Sequence, residues 1–400
     1  MPIVTKKKEM FVNFLVLMVS ILSSFIIVEI ICRYYYFGRI SIQTTSPSGK
    51  FWKYDERLGW SPRPNSDGYF FNPANGIEAY VKFDENGIRE NGNLDYSGST
   101  ASILVLGDST TVGLEVDNDK TYVAVLERLL FESNCKVRVY NAGVRGYGTD
   151  QSYWRMQTLY DRIKPDHVLY MFSGNDFVNN RTIKKPRRVF GKPVFLLQGK
   201  KLQVFNRPAK RFEEAYFAYI KYDKNGKHSI IDGYAIEKVL GFESLKEVIR
   251  NNLALYHPLQ TAYDMYSWTR EQLERQTRLE KPKRSDKPEQ LKKPQRLEKV
   301  REDIDLSVLK LILHKMKSVP GALFFTSFTK GRDLRSVEFR KLSNELGITY
   351  LDIGGFFVEE SHKYDWKTDP HWNEKGHAQA AKGLYELFKG HLCAHSAKTP

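Results

Sequence analysis

The chain has 400 residues, 41% of them hydrophobic and 27% charged, which excludes a disordered or fibrous polymer and leaves room for one large domain with insertions or for two domains. The formal net charge is +15, an excess that points to acidic partners such as anionic glycans, phospholipid surfaces or nucleic acid without choosing among them. The three cysteines, Cys32, Cys135 and Cys393, make no disulfide framework; the last two either pair in an oxidising compartment or stay as buried thiols.

In chain order, residues 1–9 read as a cytoplasmic tail and Met10–Cys32 as a transmembrane helix. These 23 residues carry one charged side chain, Glu29, and at ~1.5 Å per residue they span a ~30 Å hydrocarbon core. Lys6, Lys7 and Lys8 precede the run, so the positive-inside bias puts the N-terminus in the cytoplasm and the rest of the chain outside, periplasmic or on the cell surface. The run is too long for a signal-peptide core and no small-x-small cleavage site follows it. Residues 33–100 are a polar connector followed by a small β-rich extension, with Tyr69-Phe70-Phe71 and Ala79–Phe83 as strands.

From Ser102 onward, strands alternate with helices. Strands are expected at Ile103–Leu106, Val137–Tyr140, His167–Phe172, Ala322–Phe325 and Ile348–Ile353. Helices are expected at 120–132, from an N-cap at Thr149 or Asp150 to just before Pro165, at Arg335–Leu346, and from Glu374, capped by Asn373, to Lys389. Such alternation implies an α/β fold with a doubly wound parallel sheet, whose core takes residues 101–177 and 303–393. Residues 178–302 form an insertion. Its first part, 177–212, holds eleven Lys or Arg and no Asp or Glu, and reads as a basic β-hairpin around Gln198–Lys201. Residues 270–301, mixed in charge and interrupted by Pro282, Pro288 and Pro294, read as a helix fading into a flexible segment.

Three short motifs fall just past the first three strands, where ligands of open α/β sheets bind. Ser109, in Gly107-Asp108-Ser109, sits on a turn that lifts its hydroxyl above the sheet. Gly143 opens the glycine-rich Gly143–Gly148 loop and offers a backbone N–H; the spacing of Gly143, Gly146 and Gly148 is not that of a dinucleotide fingerprint. Asn175, between Gly174 and Asp176, offers a side-chain amide. Far downstream, Asp369 and His371 are two apart, so in extended backbone their side chains lie on one face and the carboxylate can orient the imidazole. His362 and His377 are rivals nearby, His377 on the last helix with packing as its plain role.

These residues resemble the SGNH hydrolase family, also called GDSL-like esterases and lipases. Gly107-Asp108-Ser109 looks like its first block, Gly143 like the second-block glycine, Asn175 like the third-block asparagine, and Asp369 with His371 like the fifth block. The resemblance implies a three-layer α/β/α sandwich with a five-stranded sheet. It also implies a catalytic Ser109, Asp369 and His371, and an oxyanion hole of Ser109, Gly143 and Asn175. The fifth block is D-x-H followed by Trp372 rather than D-x-x-H, similar to alginate O-acetyltransferase-like members.

The expected function is a membrane-anchored serine esterase that hydrolyses O-acyl, chiefly O-acetyl, esters of cell-envelope carbohydrate, with no metal and no organic cofactor. The membrane partner is reached through the N-terminal helix, and nucleic acid is not a partner of a domain placed outside the membrane. One alternative is an O-acyltransferase that moves acetyl groups onto an envelope polysaccharide. Another is a non-enzymatic module in which residues 177–212 dock anionic glycan or lipid.

Overall fold

A computed structural model describes residues 2–32, 51–72, 77–92, 98–185, 190–212, 216–223, 225–234, 292–327, 335–359, 363–366 and 369–393. The chain divides into two units, one of Met1–Gln43 and Ile236–Lys281 and the other of Thr44–Ala235 and Pro282–Pro400. In the first, helix α1 (Pro2–Cys32) begins earlier than the apolar run alone suggests, because Lys6–Lys8 are as able to be helical as the residues they precede. Its Phe11–Cys32 stretch is long and apolar enough to cross a membrane, by length and composition, as a signal sequence near an N-terminus also is. The apolar side chains of that stretch are exposed almost throughout.

The second unit opens with two hairpins, β1 (Trp52–Asp55) with β2 (Gly59–Pro62), and β3 (Asp67–Asn72) with β4 (Ile77–Lys82). Then come β5 (Ala101–Leu106), the four-residue helix α2 (Ser109–Val112), α3 (Tyr122–Glu132), β6 (Val137–Asn141), α4 (Thr149–Ile163), β7 (His167–Phe172) and α5 (Asp176–Arg181). The insertion supplies β8 (Thr182–Lys184), β9 (Val194–Gln198), β10 (Lys201–Phe205), β11 (Tyr216–Tyr222) and β12 (His228–Tyr234). The chain returns through α6 (Lys292–Lys317), β13 (Ala322–Ser327), α7 (Arg335–Leu346), β14 (Thr349–Asp352), β15 (Asp365–Trp366), β16 (Asp369–Trp372) and α8 (Glu374–Leu392).

Five strands form one parallel sheet in the order β14-β13-β7-β5-β6. Both faces are covered, which is why the strands read as unbroken apolar runs. Leu104, Leu106, Val168, Tyr170, Phe172 and Phe325 pack on one face with α4, α6 and α7, whereas Ile103, Val105, Leu169, Met171 and Phe324 pack on the other with α3 and α8. This alternation along each strand produces the expected three layers. The chain leaves β5 for β6 on one side and crosses to β7 on the other, so β5 and β7 flank the point where strand order reverses.

Three details depart from the sequence reading. Helix α4 starts at Thr149 with Gly148 at its N-cap and no side-chain cap, because the Thr149 hydroxyl is turned inward to bond the Tyr170 hydroxyl and accept from Asn180. The segment 292–301 is helical, not flexible, since α6 continues to Lys317 and buries Ile304, Val308, Leu309, Ile312, Leu313 and Met316 at helical spacing; residues 270–290 lie outside the described residues. The insertion also pairs β12, β11 and β8 in a sheet that the sequence did not suggest, beside the expected hairpin of β9 and β10. Cys135, just past α3, forms a disulfide with Cys393 at the end of α8, which joins the two helices of one layer.

Candidate active site

Ser109 lies at the start of α2, directly after the turn that ends β5. Asp108 caps that helix, accepting from the Thr110 N–H at 2.9 Å, which fixes the turn and leaves Ser109 recessed, 8% exposed. The Ser109 hydroxyl is 3.5 Å from Asp108 Oδ2, too long to hold it firmly. Gly113 closes α2 in the left-handed region, at φ 58°, and donates to Ser109 O.

The loop after β6 lies flat against this helix. Asn141 Nδ2 donates to Thr111 O at 2.9 Å, and a Cβ on Gly143 would stand 2.4 Å from the Val112 nitrogen, so only glycine fits. The Gly143 N–H is directed at Asn141 Oδ1, at 3.2 Å. On the other side, Ser173 donates its hydroxyl to Asp108 Oδ1 at 3.1 Å, tying the loop after β7 to the same turn. Asn175 begins α5 without using its side chain as a cap, and its residue is exposed. The loop is held instead by Asp176, which is buried and accepts from the Tyr170 hydroxyl at 2.6 Å and the Ser173 N–H at 3.1 Å. Burial and the charge of Asp108 push the Asp176 carboxyl well above the usual carboxylate range.

Asp369 and His371 lie on β16, which packs on α2. Asp369 Oδ1 takes both the His371 N–H, at 3.0 Å, and the imidazole Nδ1 in a very short contact. Nε2 is therefore the ring nitrogen left to exchange a proton. A second carboxylate stands on the same side: Glu115 Oε1 is 3.5 Å from His371 Nδ1 and 2.8 Å from Arg145 Nη1. Burial alone would depress the imidazole, but the Glu115 charge and the Asp369 hydrogen bond outweigh it, and the net shift is upward. Burial likewise opposes the Asp369 carboxylate, yet the His371 hydrogen bond and charge hold it below its ordinary range. The donor atoms of Glu115, Asp369 and His371 fall within 4.8 Å of one another, but Arg145 already occupies Glu115 and Asp369 already occupies Nδ1. The group is an ion-paired imidazole.

His377 is a packing residue: it is buried, its Nδ1 accepts from the Tyr122 N–H at 3.1 Å, and its ring stacks on Tyr122. Burial, with the charges of Arg89 and His371, pulls its pKa down to about 3. His362 lies outside the described residues. Trp372, the last residue of the D-x-H-W block, is also buried and stacks on Phe357.

The sequence reading missed Glu115, Arg145 and Arg89. Arg89 is buried and donates to Val112 O at 2.6 Å, Val116 O at 2.5 Å and Asn118 Oδ1 at 3.0 Å, so it holds the loop that carries Glu115. Burial pulls its guanidinium down to about 9. The available signal was a lone acid, Glu115, between two apolar residues, Leu114 and Val116, just after the serine block.

The model of the GDSL-like Lipase/Acylhydrolase family matches residues 105–224, which hold Ser109, Gly143 and Asn175. An arylesterase of Vibrio mimicus is 32% identical over 80 residues, covering 20% of this chain and 40% of the arylesterase, so the chain spans less than half the length of that relative. Among solved structures, a psychrotrophic esterase, EstA, from Pseudoalteromonas sp. is 10% identical, with a TM-score of 0.36 over 72% of this chain and 97% of its own. An acetyl xylan esterase from Geobacillus stearothermophilus is 13% identical, with a TM-score of 0.35 over 73% of this chain and 96% of its own. The family match takes in Ser109, Gly143 and Asn175 and stops short of Asp369 and His371.

Proposed function

We propose that this protein is a serine esterase that hydrolyses O-acyl esters, with O-acetyl groups on cell-envelope carbohydrate as its substrate class. The observation that carries the reading is the Asp369–His371 pair on a strand packed against the helix that begins at Ser109. Ser109 Oγ attacks the ester carbonyl while His371 Nε2 takes its proton. The oxyanion is received by the Ser109 N–H, the Gly143 N–H and the Asn175 amide. The long Gly143–Asn141 bond, at 3.2 Å, is one the N–H can share with an incoming oxygen. As the tetrahedral intermediate collapses, His371 returns the proton to the departing alcohol. Water then attacks the acyl-serine by the same route, giving up a proton to His371, which passes it to the departing Ser109 Oγ as the free acid leaves.

A recessed hydroxyl with an exposed rim suits an acyl group carried on a polymer: Asn175 is exposed, and a Cβ on Gly174 would meet nothing within 4 Å. Placement outside the cytoplasm is supported by Lys6–Lys8 ahead of the apolar run of α1 and by the Cys135–Cys393 disulfide, a bond of oxidising compartments. Acyl transfer draws no separate support from Trp372, whose side chain packs in the core. Docking through residues 177–212 is weakened by how its cations are used. Arg181 pairs with Asp305, Lys192 with Asp150, Lys184 and Lys185 donate to neighbouring oxygens, and Arg207 and Arg211 stack on Trp154 and Tyr54.

The test is acetate release from p-nitrophenyl acetate and from acetylated sugars by the full chain. Free acetate from both, absent in the Ser109→Ala variant, is expected. Acetylated glycan exceeding free acetate when an acceptor is supplied would assign transfer instead, and no acyl turnover at all would remove the enzymatic reading.

A further inference from the structure

The Nδ1 side of His371 holds more charge than one carboxylate can account for. Glu115 is 1% exposed, lies 3.5 Å from that nitrogen through Oε1, and its Oε2 has no hydrogen-bond partner among the described residues. A carboxylate buried to this degree is costly unless its charge is compensated. Its compensation comes from two directions, Arg145 at 2.8 Å and the imidazole itself. The loop that carries Glu115 is held in place by Arg89 and by the β3–β4 hairpin, whose Tyr80 and Lys82 N–H groups donate to Asp117 and Asn118. Arg145 is fixed from the other side, its carbonyl accepting from Trp60 Nε1 at 3.1 Å. So much structure devoted to one acid, which lies outside the four sequence blocks, and to the arginine that pairs with it points to a task at the imidazole.

We infer that Glu115 is a positioning residue for His371: a second buried carboxylate on the Nδ1 side that works with Asp369 to orient the ring and compensate its charge, with Arg145 as the counterweight that keeps this from becoming excessive. The inference rests on His371 being the base of the proposed esterase. In an enzyme of that kind the imidazole must be neutral to accept the serine proton and charged immediately afterwards. One carboxylate favours the charged state, and two would trap it. An arginine bound to one of the two tempers the pair, so Glu115 and Arg145 act on the proton in opposite directions. The other groups that face the ring are Asp369 on its own strand and His377 on α8, with Ser109 on α2 packed against that strand. The neighbouring β15 carries Asp365 opposite Trp372. His377 stays neutral throughout the working range, because its pKa is pulled to about 3.

The experiment compares the full chain in detergent with Glu115→Gln and Arg145→Met, reading two quantities. One is the acid limb of kcat/KM against pH; the other is the His371 imidazole titration by NMR of histidine-labelled protein, assigned with His371→Gln. Glu115→Gln is expected to move both downward by about one pH unit, and Arg145→Met to move both upward. Opposite shifts are a signature that a merely structural pair does not give. Unmoved titrations, or shifts of the same sign in both variants, would overturn the inference, as would lost kcat with an unchanged imidazole titration. Should Glu115→Gln fail to fold, the sign of the Arg145→Met shift decides alone. The NMR titration needs no turnover, and Ser109→Ala tests the esterase reading separately, so failure of one is not mistaken for failure of the other.

Discussion

His371 sets the pH behaviour of the proposed reaction. Its pKa is raised because the Glu115 charge and the Asp369 hydrogen bond together exceed the penalty of burial. A general base works only when neutral, so kcat/KM should climb with pH through a value above the ordinary histidine figure of about 6.5. A limb at or below that value in a pH–rate profile would contradict the arrangement. The same shift bears on stability: a raised folded-state pKa contributes stability that is fully present below the unfolded value and is lost as pH rises through the folded one. Gly143 supplies the second residue-level prediction. A methyl there meets the Val112 nitrogen at 2.4 Å, backbone that cannot swing aside. Gly143→Ala should therefore cost about 1–3 kcal/mol in urea melts and depress turnover as the loop is pushed off α2. Ser109, Gly143, Asn175, Asp369 and His371 could be picked out as candidates in the sequence because the first three follow apolar strands and the last two stand at a fixed spacing. Glu115 and Arg145 were not, because their significance lies in a contact across 30 positions that no local pattern encodes.

Among the elements, the central strands β5, β6 and β7 were legible because burial on both faces leaves them apolar throughout. Helix α6 was not, since its outward residues are charged and merge with the charged stretch before it, although Ile304, Val308, Leu309, Ile312 and Met316 keep a helical period. The role of the basic segment was misleading for the same reason: net charge does not tell where a cation points. Lys192 is wholly buried against Asp150 on α4, and burial pulls the lysine down while pushing the aspartate up. Lys192→Met would strand the buried carboxylate, and a loss of about 3–5 kcal/mol is expected by denaturant melting, with Asp150→Asn restoring part of it in the double variant. A neutral outcome for Lys192→Met would mean that the pair is open to solvent.

At the scale of the molecule, the β-rich extension and the sheet make one site between them. Arg89 donates its N–H to Asn141 O at the end of β6, while its guanidinium holds the loop after α2. Gln151 and Tyr147 reach back to the carbonyls of Leu58 and Trp60. The extension is therefore part of the site's scaffold, and Arg89→Met should lower stability by about 3 kcal/mol through stranded carbonyls and remove most activity with it. The Cys135–Cys393 disulfide closes the fold at the far end of α8, and reducing it should lower the melting temperature, equivalent to about 2–5 kcal/mol. The most direct measurement is labelling of the full chain by a fluorophosphonate probe, read by intact-protein mass. One adduct, on Ser109, lost in Ser109→Ala and strongly slowed in His371→Gln, is the expected result. Equal labelling of Ser109→Ala and the unaltered chain, or none of either, would contradict a nucleophilic serine at this site.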